Sequence, residues 1–82
     1  MSQNIQNLIE TIRNNSQYIA NRILGGEKSG YLEEQTRSII SMNSGMIHAL
    51  GTIGYREIAE ELAESERLMI REARVIAESK PN

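Results

Sequence analysis

Apolar residues recur at helical spacing in three blocks along the chain. In the first, Ile5, Leu8, Ile9, Ile12, Ile19 and Ile23 fall on one side at intervals of three, four and seven. Ser16 and Ala20 fill the same side with small side chains. The opposite face carries Asn4, Asn7, Asn14, Asn15, Gln17 and Asn21. Asparagine amides compete for backbone hydrogen bonds and weaken a helix interior. Such a face is therefore either simply solvated or used to bind a polar ligand. Gly25-Gly26 is the expected stop, so the pattern predicts a helix over residues 3–24.

The second block, Leu32, Ile39, Ile40, Met46, Ile47, Leu50 and Ile53, contains a heptad-like seam at 32, 39, 46 and 53. Glu33 and Glu34 suit the positive end of a helix dipole, and the spacing predicts a helix over residues 30–53. Gly45, Gly51 and Gly54 interrupt it, each costing about 1 kcal/mol relative to Ala. We expect continuity through Gly45 and a break at Gly54. The third block runs over residues 55–79 without Gly or Pro. Its stripe is Ile58, Leu62, Met69, Ala73 and Ile76, with Ala59 and Ala77 beside it. Glu57, Glu60, Glu61, Glu64 and Glu66 precede Arg67, Arg71 and Arg74, an order that complements the macrodipole. Pro81 marks the stop. Leu68 and Val75 form a second, weaker apolar line off the main stripe, so this helix calls for two neighbours. Alternating strand patterns are absent. The expected fold is all-α: a helical hairpin or a three-helix up-down arrangement in one domain, residues 1–82, assembling as a homo-oligomeric bundle.

Composition sharpens this picture. Of 82 residues, 39% are hydrophobic, without Phe or Trp, so the expected core is aliphatic. A chain of this size buries only about 60% of its unfolded surface, and self-association is the expected extra stabiliser. The formal charge of −2 argues against long DNA or RNA as a partner. The absence of Cys and Asp and the single histidine, His48, remove thiolate sites, Asp triads and two-His metal sites. No metal or other cofactor is expected. No apolar run is long enough to span a membrane, and the N-terminus lacks a secretion signal. A cytoplasmic protein is expected.

Candidate chemistry is sparse. Ser44 and His48 are one helical turn apart, but no acid orients them, and an enzyme is not expected. The segment Gly25-Gly26-Glu27-Lys28-Ser29-Gly30 is either a plain turn or a loop whose N–H groups cradle a phosphate. It lacks P-loop spacing. Each tyrosine has a cation nearby: Tyr18 with Arg22, Tyr31 with Lys28, Tyr55 with Arg56. Rings can stack on bases while cations meet phosphates, so these six are the candidate ligand-binding residues. They equally suit a role at the rim of the core. The acidic run from Glu57 to Glu66 is a solvated helix start or a docking face for a basic protein.

Arg56, Ala59, Met69, Arg74 and Ala77, in a helix that stops shortly before Pro81, resemble the last helix of small phage anti-CBASS sponge proteins. The resemblance covers about a quarter of the chain. The Lys-Thr pair and Trp common in one such family have no counterpart, so no binding residue is carried over. What it implies is a class: a compact helical homo-oligomer that sequesters a cyclic oligonucleotide signal at its subunit interfaces, in anti-defence. A nearly two-fold ligand matches a two-fold interface, which offers each residue twice. The expected function is thus non-enzymatic sequestration of a small anionic nucleotide. The alternative is a protein-interaction module acting through the acidic face or the Leu68–Val75 line.

Overall fold

A computed structural model describes residues 2–26 and 33–79. Three helices follow in order: α1 (Gln3–Leu24), α2 (Glu34–Thr52) and α3 (Arg56–Ser79). Ser2 caps α1, its Oγ accepting from the Ile5 N–H at 3.3 Å. At the other end the Gly25 N–H bonds the Asn21 carbonyl, and Gly26 takes a φ of 113° that a side chain would resist.

The α2–α3 reversal has a definite cause. Gly54 adopts a φ of 113°, and its N–H donates to the Gly51 carbonyl at 3.2 Å. The Tyr55 N–H reaches back to the Leu50 carbonyl at 3.1 Å. This double return is the Schellman arrangement, and Tyr55 packs against the apolar cluster to which Leu50 belongs. The Tyr55 carbonyl then accepts from Ala59, starting α3 at once. The expected continuity through Gly45 and break at Gly54 are both present.

The helices run up, down and up. One apolar cluster joins Ile9 and Ile12 of α1, Ile47 and Leu50 of α2, and Ala59 and Leu62 of α3. A second joins Ile19, Ala20 and Ile23 to Ala73, with Ile39, Ile40, Met69 and Ile70 around it. Between the two lies a polar layer of one residue per helix: Ser16, Asn43 and Glu66.

Several expectations need correction. α2 starts at Glu34, because Glu33 is extended (ψ 149°) and makes no side-chain cap; residues 30–32 lie outside the described part. The seam of α2 is Thr36, Asn43 and Leu50, seven apart, and not the series at 32, 39, 46 and 53. Ile39, Ile40 and Met46 only flank it, and Ile53 ends the helix with 59% of its surface exposed. Ile76 is 48% exposed, because Ala73 and Ala77 carry the inward line at the end of α3. The core is not purely aliphatic, and Glu66 belongs to it rather than to the acidic face.

Candidate interaction surface and the buried polar layer

The residues expected to bind a ligand do not converge within one chain. Tyr18 and Arg22 lie one turn apart on α1, with the guanidinium 6.0 Å from the ring centroid. At that separation the pair is a cation–π contact. Arg22 also forms an ion pair with Glu33 at the foot of α2, so it ties two elements together. Tyr55 sits in the α2–α3 turn, half-buried against the cluster of Ile9 and Leu62. Arg56 is exposed at the start of α3 and borders a shallow groove with His48 and Thr52. These two groups occupy opposite ends of the bundle. Lys28, Tyr31 and the glycine-rich loop after Gly26 lie outside the described residues. Ser44 and His48 stand on the exposed side of α2. Among the described residues, no cluster of three or more metal-ligating side chains is present. No described helix is long and apolar enough to cross a membrane.

The outer face of α3 carries a different arrangement. Leu68 and Val75 are 42% and 60% exposed and lie one heptad apart. At 100° per residue, Glu57, Glu61 and Glu64 continue their line toward the N-terminus, and Arg71 and Glu72 lie between them. All five charged side chains are exposed. Two shallow hollows follow each other along this face. One is lined by Glu57, Glu60, Glu61 and Glu64 with Leu68, the next by Arg67, Arg71, Arg74 and Glu78 with Val75. Arg67 donates from both Nε (3.1 Å) and Nη2 to the Glu64 carboxylate. That hydrogen bond holds the Glu64 carboxyl below the usual carboxylate range and raises Arg67. Both side chains are solvated, so the pair adds little to stability.

The buried polar layer is the feature that sequence reasoning missed. The Asn43 amide nitrogen donates to the Glu66 carboxylate at 2.9 Å, and to the Ser16 hydroxyl and the Ile12 carbonyl at 3.2 Å. Ser16 Oγ lies 3.1 Å from the Ile12 carbonyl and 3.3 Å from Glu66 Oε1. The Asn15 side-chain amide donates to Asn43 Oδ1 at 3.3 Å. A signal for this layer exists in the sequence: Ser16, Asn43 and Glu66 each sit in phase with their helix's apolar stripe. The three side chains are buried between the two apolar clusters.

No family model matches the chain, and neither a curated protein nor a solved structure matches it.

Proposed function

We propose that this protein is a non-enzymatic interaction module that binds a helical partner across the outer face of α3. The observation that carries the reading is the exposed Leu68–Val75 line, beside a hollow of four glutamates at its N-terminal end. Scattered apolar residues on a surface need no explanation. Two in register on one helix, with a glutamate-lined hollow at one end, offer both contact area and orientation to an incoming helix. Native mass spectrometry of gently purified protein, beside a Leu68→Glu/Val75→Glu variant, tests it. The wild type is expected to retain a second polypeptide that the equally helical variant has lost. Identical, partner-free spectra for both would overturn the reading.

A second reading, capture of a cyclic oligonucleotide between subunits, is supported by the Tyr18–Arg22 contact. A ring and a guanidinium one turn apart can serve a base and a phosphate. A single copy supplies one such pair, so this reading needs an assembly. The same spectrum tests it: a nucleotide-sized adduct, lost on Arg22→Ala, is the expected result. No adduct, and no heat on titration with cyclic dinucleotides, would reject it.

A further inference from the structure

We infer that the polar layer is the register key of the fold: it holds α1 at one axial position on the α2–α3 hairpin, against a competing position one heptad away. This is independent of what the α3 face binds.

Each member of the layer sits midway between two buried residues of its own helix, seven positions before and after. Ser16 lies between Ile9 and Ile23, Asn43 between Thr36 and Leu50, and Glu66 between Ala59 and Ala73. The rest of the inward stripe of α1 is isoleucine, with Ile5, Ile12 and Ile19 on one line and Ile9 and Ile23 on the next. Sliding α1 by seven residues therefore sets isoleucine where isoleucine stood over much of its length. Packing cannot tell identical side chains apart, and Ser16 is the residue that marks the level.

The connections leave this one register open. Only residues 53–55 separate α2 from α3, and the Gly54 turn fixes their reversal. Residues 25–33 separate α1 from α2. At about 3.3 Å per residue, that length of chain can span a shift of about 10 Å, which is seven helical residues at about 1.5 Å each. The Arg22–Glu33 ion pair also ties α1 to the foot of α2, but both side chains are partly solvated, and such pairs hold position weakly.

Two features of the structure show which slide competes. Ile76 is 48% exposed, and the Thr36 hydroxyl is buried without a hydrogen-bond partner among the described residues. Because α2 runs antiparallel to α1, Thr36 lies level with Ile23. Bringing Ile9 to the layer would carry Ser16 to the level of Thr36 and Ile19 to the level of Ile76. A hydroxyl would meet the unpaired hydroxyl, and an isoleucine the exposed one. The layer rejects this position. Four hydrogen bonds join α1 to the hairpin there: Asn15 to Asn43, Asn43 to the Ile12 carbonyl, Asn43 to Ser16, and Ser16 to Glu66. Ile9 in place of Ser16 neither donates nor accepts, and buried polar groups left unpaired are costly. A polar residue in an apolar seam specifies register in just this way.

Moving the key tests the inference. Ile9→Ser/Ser16→Ile keeps the composition of α1 and shifts the serine by one heptad. The protein contains no cysteine, so Asn4→Cys/Glu78→Cys places two spin labels at exposed sites near opposite ends of α1 and α3. In the wild-type layer, pulsed electron–electron resonance is expected to give one narrow distance. In the shifted-serine background that distance is expected to shorten by about 10 Å, as α1 moves to restore the layer. A folded variant that keeps the wild-type distance would overturn the inference. If circular dichroism shows that variant to be unfolded, Asn43→Leu/Glu66→Leu decides. Removing the hairpin's half of the key is expected to add a population about 10 Å shorter. A single unchanged distance there overturns it equally. A merely stabilising layer would change the melting temperature in both backgrounds and move neither distance.

Discussion

Asn43 connects all three helices through one side chain. Its amide carries two hydrogens and has acceptors on α1 and α3: the Ile12 carbonyl, Ser16 Oγ and Glu66 Oε1. Both side-chain partners of Glu66 are neutral, so its carboxylate depends on hydrogen bonds in place of a counter-charge. Asn43→Leu removes the shortest of them and leaves Glu66 enclosed. The expected loss is about 2–4 kcal/mol in urea unfolding. At about 4–8 °C per kcal/mol for a domain of this size, thermal melting would show it plainly. Ser16→Ala/Asn43→Leu/Glu66→Leu, which replaces the whole layer by apolar groups, is expected to recover wild-type stability within about 1 kcal/mol or exceed it. A single Asn43→Leu as stable as the wild type would mean that the layer is not a network. Thr36 makes the opposite case. It is fully buried in the first turn of α2, and its Oγ1 has no hydrogen-bond partner among the described residues. Thr36→Val keeps the shape and removes an unsatisfied hydroxyl. A gain of about 1 kcal/mol is expected, and a loss would reveal a bond that Oγ1 makes in solution.

Glycine separates two kinds of position among the elements. Gly45 lies inside α2, and a Cβ there would meet open space. Nothing among the described residues explains it, so Gly45→Ala is expected to stabilise by about 0.5–1 kcal/mol through helix propensity alone. Gly54 also has room for a Cβ, but its φ of 113° is strained for any L side chain. Gly54→Ala is expected to destabilise by at least as much, with α2 losing its stop. Chemical denaturation of the two variants side by side checks the opposite signs. The same contrast explains what could be read in advance. Periodicity and glycine placement specify three helices and the Gly54 break, because both are local properties of the backbone. They do not identify the polar layer. Asn43 and Glu66 lie in phase with the apolar stripes, yet a polar letter interrupts a hydrophobic count. Only the coincidence of Ser16, Asn43 and Glu66 at one level of the bundle gives them meaning, and that level depends on how the helices are offset. Likewise Ile76 fits the period of α3, but Ala77 takes the inward line once the end of the helix is packed.

At the scale of the molecule, an up-down course already separates the candidate ligand residues. It puts the α1–α2 connection and the α2–α3 turn at opposite ends, so Tyr18–Arg22 and Tyr55–Arg56 cannot share a site in one chain. The Leu68–Val75 line survives this test because it needs only one helix. The larger consequence of the course is a core in two storeys, with Ile12 and Leu50 on one side of the polar layer and Ile23 and Ala73 on the other. Apolar storeys hold by contact, and contacts fade quickly with distance. The layer holds by shared hydrogens, where losing one donor changes what the others can do. Energies should therefore add between storeys and fail to add within the layer. Ile12→Val and Ile23→Val are each expected to cost about 0.5–1.5 kcal/mol. Together they should cost their sum to within about 0.5 kcal/mol, because the two sites share no contact. Ser16→Ala and Asn43→Leu should instead show a coupling of about 0.5–3 kcal/mol in the same double-mutant cycle, since both act on Glu66 Oε1. Urea titrations of the two sets decide the matter. Strong coupling between Ile12 and Ile23 would mean that the layer transmits packing strain instead of isolating it. Full additivity of Ser16 and Asn43 would mean that Glu66 satisfies its carboxylate by some other route.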